Sequence, residues 1–172
     1  MRLLIILGLA VFGLTGCNSG QPTNIDPNGP SVEISDFEVI EGNDWTGNLT
    51  YLDYSSEKYV TIPTQATVEI ASPTTLKYTI SYPEEPWEDS KAKLKISSSG
   101  RALDGQAVTY REVRPNGNLE IRTSHEGEDN NLPALIRMTY VLGSAEFSIS
   151  KDVQLDGETE FINRNIYAFA RP

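Results

Sequence analysis

The chain has 172 residues, and 24 Asp plus Glu against 14 Lys plus Arg give it a formal net charge of −10. Such a surface repels phosphate backbones, which sets nucleic acid aside as a partner. It also repels anionic headgroups, so membrane attachment is expected to rest on lipid and not on a basic patch. With Cys17 as the lone cysteine, no intrachain disulfide forms and packing alone holds the fold.

The N-terminus reads Met1-Arg2 and then an apolar run over residues 3–14. About a dozen residues are too few to span roughly 30 Å of hydrocarbon as a helix, but they suit the apolar core of a secretory signal peptide. Leu14-Thr15-Gly16-Cys17 follows directly and resembles the bacterial lipobox. The resemblance implies export, cleavage before Cys17, and acyl chains on Cys17 that hold the protein on a membrane. Each buried CH₂ contributes about 0.8 kcal/mol, and more than one chain is needed for stable anchoring. In such lipoproteins Asp after the cysteine favours the inner membrane, so Asn18 implies the outer membrane of the cell envelope. The plainer alternative is an ordinary signal peptide that leaves Cys17 a free thiol. Losing residues 1–16 takes the formal charge from −10 to −11, because Arg2 goes with them. Residues 17–31 then form the lipidated cysteine and a tether of Asn, Gly, Pro and Ser, a composition that stays flexible. Residues 32–172 are enough for one domain with its own core.

Only one helical element is expected. Ser35-Asp36-Phe37-Glu38 has capping-box spacing, and Gly42 could end the turn or two that follow. The alternative is that 32–40 is another strand. From Trp45 onward, period-two alternation takes over. Lys91–Ile96 puts Ala92, Leu94 and Ile96 on one face and three lysines on the other. Leu76, Tyr78, Ile80 and Tyr82 alternate in the same way, as do Phe147, Ile149 and Val153. This pattern predicts nine strands, near 45–53, 58–70, 74–82, 91–98, 105–113, 118–124, 133–142, 145–154 and 159–170. Pro63 predicts a bend or bulge in the second. Asn116-Gly117 is the strongest hairpin signal, because both turn positions favour positive φ.

Short connections favour a meander of neighbouring antiparallel strands. An open sheet of that size would leave two bare edges and one uncovered face. An antiparallel up-and-down β-barrel removes both problems, with a β-sandwich as the alternative.

Gly42 and Trp45 on a first strand after a helical turn, then hairpin upon hairpin to a last strand bearing Arg164, resemble a lipocalin or broader calycin barrel. The spacing Gly42-Asn43-Asp44-Trp45 is one residue longer than the lipocalin Gly-x-Trp, and Trp45-Thr46-Gly47 is closer to nitrobindin-type domains. The resemblance implies a cation–π pair between Trp45 and Arg164 at the closed end.

The apolar parity of each strand directs Trp45, Tyr51, Tyr78, Tyr82, Tyr140, Phe147, Phe161, Tyr167 and Phe169 inward. Several phenol hydroxyls in one space suit a partly polar cavity, and a lipocalin-sized barrel holds one small ligand. The bland alternative is that these rings simply fill the barrel. His125, the only histidine, sits in an acidic stretch that reads as an exposed loop, with no second imidazole or thiol for zinc and no nucleophile elbow. Glu126, Glu128 and Asp129 lack EF-hand spacing. Glu84, Glu85, Glu88 and Asp89 surround Trp87 in what reads as a solvated loop or rim. No catalytic set converges and no cofactor is implied. The expected function is therefore binding of a small, mostly apolar ligand by an envelope lipoprotein. The alternative is an accessory lipoprotein that binds a protein partner through its outer surface.

Overall fold

Ten strands carry the alternating sequence in the computed structural model, which describes residues 25–171; the lipobox with Cys17 and most of the expected tether lie outside them. The strands are β1 (Gly42–Asp53), β2 (Lys58–Ser72), β3 (Thr75–Ser81), β4 (Ser90–Lys95) and β5 (Ala102–Leu103). They continue with β6 (Gln106–Val113), β7 (Leu119–Asp129), β8 (Leu132–Leu142), β9 (Glu146–Leu155) and β10 (Ile162–Ala170). Neighbours in the chain pair antiparallel, and β1 returns to β10 in register from Thr46–Ala170 to Tyr51–Asn165. β4 and β5 meet through the single bridge Ile96–Leu103, backed by Asp104 N–H on the Lys95 carbonyl at 2.8 Å. The result is one sheet rolled into a nearly closed up-and-down barrel, seamed at β4–β5, and not a sandwich. The extra strand is the two-residue β5, too short for alternation to reveal.

Closure demands close approach. A Cβ at Gly47 would lie 1.9 Å from the Ala168 carbonyl oxygen, so only glycine lets β1 and β10 meet there. Pro63 makes no bulge: β2 runs straight through it. β3 ends opposite Gln65, so Pro63 lies where β2 has a neighbour on one side only, and a missing N–H is tolerated there.

The segment before β1 is neither α-helix nor strand. Ile34–Ile40 forms a 3-10 turn, with Glu33 N–H donating to Asp36 Oδ2 at 3.0 Å, two residues before the expected Ser35–Glu38 box. Phe37 and Ile40 from this turn plug the barrel's closed end, and Trp45 Nε1 donates to the Ile40 carbonyl at 2.9 Å.

The arginine over Trp45 is Arg171, with its guanidinium 4.3 Å from the ring centroid, and not Arg164. Arg171 also donates to the carbonyls of Ser144, Glu41 and Val39. It therefore ties the last strand's end to the plug and to the β8–β9 turn. Arg171→Ala should cost about 2–3 kcal/mol in chemical denaturation, from lost charged hydrogen bonds and the ring contact. Arg171→Lys should restore less than half, because an ammonium cannot serve three diverging carbonyls while lying flat on an indole.

The open end is uneven. The β1–β2 and β7–β8 hairpins run on to Asp53–Lys58 and Asp129–Leu132, whereas β3 stops opposite Gln65 and β6 begins opposite Ser124. The β3–β6 side is thus a low wall between tall hairpins. The upper part of β7, expected to be loop, stays in strand because Thr123, His125, Gly127 and Asp129 keep inward parity up to the turn. That turn is Asn130-Asn131, with φ of 50° and 61°, the mirror-image geometry that hairpins favour. Asn116-Gly117 turns differently: only Gly117 has positive φ, inside a longer loop closed by Arg114 N–H on Asn118 O.

Candidate functional site at the open mouth

Inward-facing residues change character from one end of the barrel to the other. At the closed end Trp45 meets Phe147 edge-on at 4.7 Å, and Phe147 stacks on Phe169 at 4.8 Å. Tyr167 lies next, 6.2 Å from Phe169, and its hydroxyl shares a 2.7 Å hydrogen bond with Tyr82. Tyr78 and Tyr140 are buried beside them, and desolvation pushes both phenols well above the usual range. Seven of the eight expected ligand-lining rings therefore pack among themselves as core. Tyr51 alone reaches the half-exposed layer above. Phe161 is not inside: it lies under the Arg137 guanidinium at 4.0 Å, and Arg137 pairs with Asp152 on the outer face.

The layer above the rings is built from Tyr51 and Ile62 on the β1–β2 hairpin, Met138 on β8, Lys151 on β9 and Asn165 on β10. All share the parity of buried neighbours, yet all are partly exposed. These inward residues reached by solvent define a mouth, bounded on the β8–β9 side by a second buried cluster of Ala134, Ile136 and Val153. The mouth's apolar side chains are Tyr51, Ile62 and Met138.

One side of this mouth is roofed by charge. Asp129, 6% exposed at the end of β7, accepts from Lys151 Nζ at 2.6 Å and from the Tyr54 hydroxyl. Arg164 stands 3.7 Å from the same carboxylate, over the Tyr54 ring at 4.2 Å, and donates to the Leu52 carbonyl. Burial, and then the hydrogen bond to Asp129, push the Tyr54 phenol up to about 12. Arg164 faces this way because β10 carries a register shift between Asn163 and Asn165. Such a bulge re-aims one side chain. Strict alternation would have turned Arg164 outward. Two cations share one carboxylate, so the roof keeps a positive surplus.

His125 lies inside, below this roof, and not on an exposed loop. Its Nδ1 is buried without a hydrogen-bond partner. Burial, and then the nearby Lys151 charge, lower its pKa below the ordinary 6.5. Because the unfolded chain takes the proton first, stability should begin to fall as pH drops through 6.5 and keep falling to the folded value. A second loss should follow below about 4.5 at Glu120. Burial there opposes ionisation, but the guanidinia of Arg114 and Arg122 overturn it, and the folded pKa lies below the unfolded one. Urea midpoints measured against pH should show His125→Gln erasing the first step while keeping the second.

Two other features lie outside the lumen. A groove of about 470 Å³ runs between residues 31–35 and Ser97–Gly100, lined by five serines together with Val32, Ile34, Pro73 and Ile96. Trp87, 74% exposed, projects from the β3–β4 loop above the low wall. That loop brings the Glu85 charge near Tyr51, whose phenol is raised chiefly by burial and next by Asp53 and Glu85. Among the described residues, no group of three or more His, Cys, Asp or Glu is placed to hold a metal ion.

No protein-family model and no curated protein matches the chain. Among solved structures, the crystal structure of Rv2717c from M. tuberculosis is similar at a TM-score of 0.45 and 12% identity, over 78% of this chain and 94% of that one. A likeness at that level lends nothing to the functional reading.

Sequence reasoning missed Asp129, Lys151, Tyr54 and Met138 as mouth residues. The available signal was Lys151 itself, a charge at inward parity between Ile149 and Val153.

Proposed function

We propose that this is a lipid-anchored protein of the bacterial envelope, held by acyl chains on Cys17, that carries a small, mostly apolar molecule in the mouth of its barrel without altering it covalently. The supporting observation is the half-exposed inward layer, where Ile62, Met138 and Tyr51 offer apolar surface in the same layer as Lys151. A pocket with a few fixed polar groups beside apolar surface suits a ligand with one polar end. The charged side chains are committed to one another through Asp129, which favours holding over reacting.

Purification from a bacterial host in mild detergent, followed by native mass spectrometry, should show a small-molecule mass on the wild type. Met138→Trp, whose indole fills the mouth, should lose it. A bare wild type, or equal occupancy in the variant, contradicts the mouth as a site. Cys17→Ser should move the protein out of the membrane fraction, and continued membrane attachment would contradict the acyl anchor.

The solvent position of Trp87 favours a second reading, in which the outer rim meets a protein of the envelope. A crosslinked partner lost in Trp87→Ser, with the mouth empty, would decide for it.

A further inference from the structure

Four of the chain's six lysines stand together on one outer wall. The β3–β4 register sets Lys77 directly opposite Lys93, with Lys95 opposite Thr75 and Lys91 opposite Thr79. All four are exposed. Like charges directly opposite one another weaken a strand pair, so folding alone gives no reason for the arrangement in so acidic a chain.

Most other cations are matched. Arg111 holds Asp36, Arg114 and Arg122 share Glu120, Arg137 holds Asp152, and Lys151 holds Asp129. On the lysine wall Lys77 pairs with Glu69 at 3.2 Å, and Lys95 lies near the Asp104 carboxylate, which accepts from the Lys95 backbone N–H at 2.7 Å. Among the described residues, Lys91, Lys93 and Lys95 form no ion pair. Lys91, Lys93 and Lys95 lie on the seam strand β4, where lysines also guard an exposed edge against pairing, but edge protection does not require Lys77 on the interior strand β3.

The chain reaches the barrel beside this wall: Val32 N–H donates to the Gly100 carbonyl on the β4–β5 turn at 2.9 Å. From Cys17 to Val32 the contour length is about 50 Å at full extension, ample for the wall to meet the surface that holds the anchor. The acidic Glu84–Asp89 loop stands at the opposite end of the same strands. The contact is therefore set by the closed-end half, where Lys77, Lys93 and Lys95 lie. Screening over about 8 Å at physiological salt means a bilayer senses the nearest face and not the net charge.

We infer that the Lys77, Lys91, Lys93 and Lys95 face of β3–β4 docks on the anionic phospholipid headgroups of the leaflet in which Cys17 is anchored. This rests on the lipid-anchored reading of Cys17. It also replaces the expectation that acyl chains alone hold the protein to the membrane. Docking lays the barrel on its side, next to the bilayer instead of hanging from it.

The test uses the full chain with phosphatidylcholine vesicles, with and without phosphatidylglycerol, and follows lysine acetylation by peptide mass spectrometry. Lys58, exposed on β2, is the internal control. With phosphatidylglycerol, Lys77, Lys91, Lys93 and Lys95 should label several-fold more slowly than Lys58, and the difference should vanish in high salt and on phosphatidylcholine alone. Equal normalised rates on both vesicles would overturn the docking. Sedimentation with phosphatidylcholine vesicles reads the anchor separately: sedimentation without lysine protection sinks the docking alone, and protection without sedimentation sinks the anchor alone. The triple variant Lys91→Gln/Lys93→Gln/Lys95→Gln should lose protection at Lys77 while its unfolding midpoint holds or rises.

Discussion

Replacing Phe147 with alanine should cost about 3–5 kcal/mol, a large share of the roughly 5–15 kcal/mol that holds a typical domain. The ring is 1% exposed and joins Trp45 edge-on to Phe169 face-on, so it links the barrel's first strand to its last. Neighbours tied at both ends of their strands cannot collapse into the space. The loss should therefore sit at the upper end of that range, with the urea m-value unchanged. Val113→Ala, 66% exposed on β6, should stay within about 0.5 kcal/mol in the same assay. Equal costs at the two positions would mean that the rings are not the core.

Asp129→Leu should cost about 3–5 kcal/mol, because removing one partner of a buried ionic cluster strands the others. Lys151 and Arg164 would then face each other at the mouth with no carboxylate between them, and the Tyr54 hydroxyl would lose its acceptor. Pairing the change with Lys151→Met should recover more than half of the loss. Isosteric apolar replacement removes the stranded charge, although Arg164 keeps its bond to the Leu52 carbonyl and its place over Tyr54. A double-mutant cycle with no coupling would show that Lys151 and Asp129 do not share a site.

The barrel was legible because each strand with a wet and a dry face writes that fact locally, as Lys91–Ile96 and Leu76–Tyr82 do. Short connections left few other ways to cover the edges. The inward direction of Trp45 was legible for the same reason, as a large ring at inward parity early in the first strand, although parity does not say which end of the barrel is closed.

The mouth was not legible, and the causes are specific. Upper β7 is polar on both faces, with Glu126 and Glu128 outside and His125 and Asp129 inside, so hydropathy shows no period there. Arg164 takes its direction from a bulge, which adds one residue to the count and reverses the parity an alternation argument assigns. The pairing of Arg164 with Trp45 was implied by the calycin resemblance alone, and the structure puts Arg171 over that ring instead. Arg171, which does cap Trp45, follows β10, and its role depends on three carbonyls from distant segments. Asp129 gathers Tyr54 from the β1–β2 hairpin and Lys151 and Arg164 from the β9–β10 hairpin, an encounter that no local spacing encodes.

The account depends on a barrel filled by rings below and reached by water above. In a Cys17→Ser background, a thiol at Met138→Cys should react readily with a polar, membrane-impermeant maleimide under native conditions. A thiol at Ile149→Cys, one inward layer deeper and paired with Tyr140, should stay unreactive until the protein unfolds. Equal reaction at both, or at neither, would contradict the account: the first would mean a lumen open to its floor, and the second a mouth that does not exist.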